Sequence, residues 1–188
     1  ELTARDTTRR IQQGLALIPE DRQREGLVQC LSIAENLTLA SLGQFVKAGF
    51  HIDISREKAA IAEAIRNLSI KAKNPDFEVT SMSGGNQQKV VIGKALMTNP
   101  KVLLMDEPSR GIDVGAKADV FRTMRRLAGE GLAILFSTSD LEEVMALSDR
   151  IAVMSNGRLV CVVDRGQATE EMIVAASAEG HKTRKEHA

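Results

Sequence analysis

Met82-Ser83-Gly84-Gly85-Asn86-Gln87-Gln88-Lys89, followed by Val102-Leu103-Leu104-Met105-Asp106-Glu107-Pro108, is the part of this chain that decides its architecture. The first string places a serine and two adjacent glycines at the mouth of a helix. Backbone N–H groups there have no partner within the helix, and the positive end of the helix dipole faces outward, so an anion is favoured. The second string is an unbroken apolar run ending in two acids. It predicts a buried parallel strand that delivers carboxylates to the edge of a sheet, where Mg²⁺ and a water can sit. A phosphate cradle followed by a metal-binding acid and a candidate base points to nucleotide chemistry.

The rest of the chain narrows the class. Its 188 residues make one domain or a large part of one, and 43% apolar content supports a real core. Formal net charge is zero, so no field draws the chain to nucleic acid or to an anionic membrane. Trp and Tyr are absent, which removes most stacking platforms for bases, including a shelf for adenine. Cys30 and Cys161 form no Cys-x-x-Cys, and His51, His181 and His187 make no ligand cluster with them. They read as ordinary thiols of a reducing compartment. No apolar run approaches the ~20 residues of a membrane helix, and no signal peptide is visible.

Breakers and periodicity predict alternating elements. Residues 3–14 read as a helix stopped by Gly14, and Leu15–Ile18 as a short buried strand halted by Pro19. Glu20–Gly26 is a charged loop. Ser32 and Glu35 have the spacing of a capping box. Ser55 to about Leu68 is an amphipathic helix, Gln87–Met97 the helix opened by the Ser-Gly-Gly turn, and Val114–Ala128 a further helix stopped by Gly129. Leu132–Phe136 is a second buried strand and Leu141–Leu147 a short helix. Ile151–Met154 and Arg158–Val163 flank Asn156-Gly157 as a hairpin. Ala168–Ala176 is a last helix, and His181–Ala188 a polar, disordered tail. Strands alternating with helices imply an α/β fold with a mostly parallel sheet. The predicted division is a core segment at 1–27, a helical lobe at 28–98, a second core segment at 99–178 and the tail at 179–188.

Ser-Gly-Gly alone is an ordinary turn before a helix, and an acid pair after a strand can simply cap a turn. Together, in this order and spacing, the two strings resemble the signature and Walker B motifs of ABC-type ATPases, members of the P-loop NTPase fold. Ser109-Arg110-Gly111-Ile112-Asp113 then resembles the D-loop, with Ser109, Gly111 and Asp113 as its marked positions. No Gly-x-x-x-x-Gly-Lys-Ser/Thr string occurs. The expectation is a partial cassette whose P-loop region would precede Glu1. Pro19-Glu20-Asp21-Arg22, Ala34-Glu35-Asn36-Leu37 and Ser83–Val90 narrow the resemblance to the second half of the tandem ATP-binding subunits of bacterial monosaccharide importers, of the ribose, xylose and galactose type.

The resemblance implies roles. Ser83, Gly84, Gly85, Asn86 and Gln87 would contact ATP held by the first nucleotide-binding half of the same subunit. Asp106 would reach Mg²⁺ through water, and Glu107 would polarise the attacking water. Two positions depart from the pattern: Glu20 stands where a metal-watching Gln is usual, and Ser139 where a switch His is usual. A serine carries no positive charge, and an acid repels a γ-phosphate. The chain's own nucleotide site is therefore expected to be weak while its signature serves the working one. The intact subunit would be an ATPase at the cytoplasmic face of the bacterial inner membrane, docked on permease subunits and indirectly served by a periplasmic sugar-binding protein. The chain alone would be inactive. Two other readings remain: a non-transport ABC protein such as a translation factor, which the neutral charge and Ser139 disfavour, and a structural half-domain that never meets nucleotide.

Overall fold

The carbonyl of Gly14 sets the register of the central sheet. It accepts from Lys101 N at 2.7 Å and from Val102 N at 3.0 Å. Gly14 itself adopts φ +92°, and a Cβ there would lie 3.0 Å from the Lys101 side chain, so the tight entry needs glycine. From this point β1 (Leu15–Ile18) runs parallel to β4 (Val102–Asp106), with Leu15 opposite Val102 and Ile18 opposite Met105. β4 in turn pairs in parallel with β5 (Ala133–Ser137), ending with Asp106 opposite Ser137. The strand order is β1-β4-β5. The computed structural model describes residues 6–47, 49 and 51–182.

Two compact units divide the chain, Glu1–Ser137 and Thr138–Ala188. In the first, Asp6 caps α1 (Thr7–Gln12) by accepting from Arg9 N. The predicted capping box is present at α2 (Ile33–Thr38): Ser32 N donates to Glu35 Oε2 at 2.8 Å, and Glu35 N donates back to Ser32 Oγ at 3.2 Å. The fully buried amide of Asn36 ties α2 to the preceding loop, accepting from Val28 N and donating to the carbonyls of Val28 and Ser32. A two-residue ribbon, β2 (Val46–Lys47) with β3 (His51–Ile52), leads into α3 (Ile54–Asn67). Then come α4 (Gly84–Leu96) and α5 (Val114–Gly129).

α4 is the centre of this unit. Gly85, Ala95 and the whole run from Gln87 to Gly93 are buried, so most of its circumference is covered. It packs on α2, β1 and α5. The inner sheet face presents Ala16, Ile18, Leu103 and Met105, all buried. The other face does not: Leu17 is 61% and Leu135 63% exposed. They lie on the outer strands at one level of the register, with Leu104 between them.

The second unit holds α6 (Leu141–Leu147), the hairpin of β6 (Arg150–Ser155) and β7 (Arg158–Asp164), and α7 (Glu170–Lys182). Asn156 at φ +48° and Gly157 at φ +75° make the predicted Asn-Gly turn. α7 lies on β6, and its core joins Ile151, Val153, Ala168 and Ile173.

Several expected boundaries move, each for a local reason. The helix expected over 3–14 is observed as Thr7–Gln12, and residues 3–5 fall outside the described set. Glu20–Gly26 is not all loop: Asp21 accepts from Gln23 N and Arg24 N and starts a single π-type turn over Arg22–Gly26. α4 begins at Gly84 rather than Gln87, because both glycines are helical. α5 continues through Gly129, and Gly131 at φ +99° makes the turn instead. The last helix starts later, at Glu170, since Thr169 Oγ1 accepts from Met172 N at 3.2 Å and caps it. It also includes His181 and Lys182, which were expected in a disordered tail, whereas 183–188 lie outside the described residues. No helix among the described residues is long and apolar enough to cross a membrane.

A buried cation fixes α4 to α5. The Lys89 side chain is 5% exposed, and its Nζ meets Asp119 Oδ2 at 2.8 Å and the Ser69 carbonyl at 3.2 Å. This hydrogen bond, then the Lys89 charge and then Arg122, holds the Asp119 carboxyl below its usual range. A carboxyl whose pKa falls on folding stabilises above its unfolded pKa, and the benefit is lost as pH drops through the folded value. Asp119→Asn should therefore cost about 1 kcal/mol at pH 7, allowing for solvent screening at the half-exposed acid. Urea melts in progressively stronger acid should show the gap to the parent protein closing.

Candidate functional site

Ser83 occupies the cap position of α4 but does not cap the helix. Its hydroxyl accepts from Asn86 Nδ2 at 3.0 Å, while Asn86 Oδ1 accepts from Lys71 N at 2.9 Å. The first-turn N–H groups of α4 thus have no side-chain cap. N–H groups left open at the positive end of a 13-residue helix favour an anion over a cation. Gln87, grouped with these residues by sequence, is buried, and its Nε2 donates to the carbonyls of Val79 and Met82. Its side chain shapes the turn from behind.

The glycines are required by close approach. A Cβ on Gly85 would lie 2.2 Å from the Cβ of Ala116, in the first turn of α5. A Cβ on Gly84 would lie 2.6 Å from Arg22 Nη2 and 3.1 Å from the Gly111 carbonyl. Arg22 Nη1 donates to the Arg110 carbonyl at 2.6 Å and Nη2 to the Gly111 carbonyl at 2.9 Å. Burial lowers the Arg22 pKa from its ordinary value, and the charge of Asp21 works against that shift. The guanidinium stands beside the α4 terminus and adds positive charge there. Asp113 caps α5, accepting from Ala116 N at 2.9 Å. The Ser109–Asp113 loop is therefore fixed at the start of α4.

At the end of β4, Asp106 is exposed, and its Oδ1 accepts from Ser137 Oγ at 2.5 Å. Glu107 is half-buried at φ +42°, a left-handed backbone that non-glycine residues rarely adopt. Its N–H donates to the Ser137 carbonyl at 2.9 Å, which holds the strained turn in place. Glu20 forms an ion pair with Arg110. The sequence reading lacked this partner, which stands beside the acid on the protein surface. Ser139 belongs to the second unit and is exposed there. No group of three or more His, Cys, Asp or Glu among the described residues gathers as a metal cage. Mg²⁺ seldom needs one, since it is commonly held by one or two carboxylates together with substrate phosphates. The exposed Asp106 is compatible with that mode.

A family model described as ABC transporter matches residues 1–110. The chain belongs to the ABC transporter family. It is 37% identical over 177 residues to the xylose import ATP-binding protein XylG of Escherichia coli K12, covering 94% of this chain and 34% of that protein. It is 42% identical over 172 residues to the ribose import ATP-binding protein RbsA of Geobacillus kaustophilus, covering 92% and 35% respectively. The chain thus spans about a third of the length of the curated relatives it matches. Its fold matches the ATP-binding cassette MJ1267 of an ABC transporter, with a TM-score of 0.74 at 22% identity over 92% of this chain and 71% of that one. It also matches the cassette cbiO1 of Clostridium perfringens, with a TM-score of 0.71 at 19% identity over 95% and 68%. The α/β cassette fold expected from sequence is the one observed.

The contacts of four residues around this candidate site escaped the sequence reading: Arg22 and Arg110, quoted there only as motif members, and Ala116 and Ser137. Ser137 was accessible in principle, since a parallel neighbour of the Walker B-like strand must end beside Asp106. Arg22 and Arg110 sit among other charges, and only tertiary contact separates them from solvated ones. The tight fit at Gly85 gives a test. Gly85→Ala should destabilise by about 1–3 kcal/mol through overpacking against Ala116. Gly129→Ala, also helical but with no atom within 4 Å of the added Cβ, should be neutral or gain up to about 1 kcal/mol. Paired urea titrations of the two variants check the contrast.

Proposed function

We propose that this chain is the second half of the ATP-binding subunit of a bacterial monosaccharide importer, and that it supplies the Ser83–Gln87 turn to ATP held by the first half. The observation that carries the reading is the uncapped start of α4. Its N–H groups are wedged in position by the close fits at Gly84 and Gly85. Donors held rigidly where negative charge gathers stabilise a transition state without reorganising. The names of the xylose and ribose relatives support sugar import as the process served.

Within that reading, residues 1–27 and 99–178 are core segments and 28–98 form the helical lobe, while the tail read from 179 is, through Lys182, the end of α7. Asp106 would hold Mg²⁺ through water, and that ion would supply charge neutralisation at the phosphates. Glu107, fixed by its strained backbone and the Ser137 carbonyl, would orient a water. This second site would be poor, because an acid, Glu20, stands where a neutral metal-watching Gln is usual. The exposed Leu17 and Leu135 face fits a sheet that the remaining cassette covers. The chain alone would not turn over ATP. In the assembly its partners would be the first half, permease subunits and, indirectly, a periplasmic sugar-binding protein, at the cytoplasmic face of the inner membrane.

In the full-length subunit with its permease, Ser83→Arg should reduce ATP turnover by about 10²-fold, the scale of losing preorganised donors. Steady-state phosphate release measures it, and a loss under about threefold would remove this turn from the working site. Glu107→Gln should be mild. The equivalent change in the first half should cost on the order of 10²–10⁴-fold, as for a water-orienting acid. Equal losses in the two variants would rule out unequal sites.

A further inference from the structure

We infer that Arg22 is a positioning residue for ATP turnover, fixing the Ser109–Asp113 loop and the start of α4 relative to each other. This rests on the reading that the Ser83–Gln87 turn closes on ATP. Arg22 spans 88 residues of sequence to reach two consecutive carbonyls, those of Arg110 and Gly111, with one Nη on each. Such a two-pronged grip fixes direction as well as distance. The same Nη2 occupies the space that a Cβ on Gly84 would need, so loop and helix start share one contact atom.

Other features hold the fork in place. Gly111 is at φ +66°. Asp21 caps the turn that carries Arg22, and Glu20 pairs with the Arg110 side chain. Residues 20–22 therefore grip the loop by backbone and side chain together. Arg22 Nε is buried without a hydrogen-bond partner. The guanidinium is thus oriented by the loop carbonyls alone, at the expense of its third donor site. One N–H of each Nη is committed to a loop carbonyl, so the loop sets where the guanidinium stands, and we read its part in turnover as the geometry it maintains and not as a grip on phosphate. Its loss should lower turnover and leave ATP binding in place.

The test uses the full-length subunit with its permease and compares Arg22→Ala, Arg22→Lys and Ser83→Arg by steady-state ATPase kinetics, with thermal melts to report folding. Arg22→Ala should lower kcat by about tenfold or more with KM for ATP within about twofold, in keeping with the cost of misplacing a reacting group. Arg22→Lys keeps the charge and most of the stem but loses the fork. It should still lose at least about threefold in kcat, and if Arg22→Ala does not fold this variant alone decides. A kcat within about twofold of the parent in both variants, or a rise in KM that accounts for the loss, overturns the inference. Ser83→Arg separates the two levels. If it abolishes turnover while the Arg22 variants stay normal, the positioning role alone falls. If it is itself active, the reading beneath falls.

Discussion

The burial of α4 is the constraint from which the first unit takes its shape. A helix covered on several sides at once cannot present large side chains in every direction. Where α5 comes close the chain has Gly85, and where α2 and the end of α3 come close it has Gly93, whose added Cβ would meet Leu37 at 2.6 Å and Leu68 at 3.0 Å. Polar residues on the same helix are satisfied inside. Gln87 donates to two carbonyls, and Lys89 is ion-paired with Asp119. Packing of this density transmits displacement instead of absorbing it. The helix start that meets solvent is therefore placed by contacts made along the whole buried body.

The charges around that helix start are arranged in opposition. Arg22 stands beside the positive helix end, held by carbonyl dipoles of the loop. Glu20 pairs with Arg110 at the surface. Asp106 and Glu107 sit at the end of β4 with Ser137 holding both, one by its hydroxyl and the other by its carbonyl. One carboxylate does stand near the helix start, since Asp113 Oδ2 is 3.9 Å from where a Cβ on Gly85 would lie, and it caps α5 by accepting from Ala116 N.

Much of the fold was legible because local chemistry specified it. Leu15–Ile18 and the run ending at Asp106 had no polar interruption, Ser32 and Glu35 had capping-box spacing, and Asn156-Gly157 admits few other turns. Boundaries shifted where two local signals competed. Gly84 and Gly85 looked like turn residues but are helical, because tertiary crowding demands a missing side chain there. Gly129 looked like a stop, yet Gly131 is the residue with positive φ. Asp21 read as one more charge in a loop until its carboxylate was seen capping a turn. Of the candidate site, the Ser83–Gly85 turn and the acids at the end of β4 were readable from spacing. The Arg22 grip and the Glu20–Arg110 pair were not, because they join segments about 90 residues apart and nothing in either segment names its partner.

The uncovered sheet face has a consequence for the behaviour of the separated chain in solution. β1 and β5 are the outer strands of the parallel sheet, each with one row of backbone groups facing no other strand of that sheet. Their sequences, Leu-Ala-Leu-Ile and Ala-Ile-Leu-Phe-Ser, hold no charge and no proline. These are the devices by which proteins discourage strand addition. A net charge of zero removes long-range repulsion between copies as well. Colloidal stability is thus the weak point of the chain in isolation. Salts excluded from protein surfaces, such as sulfate, strengthen the drive to bury apolar surface and so bear on this face, and a charged residue on the outward side of β1 or β5 opposes that drive.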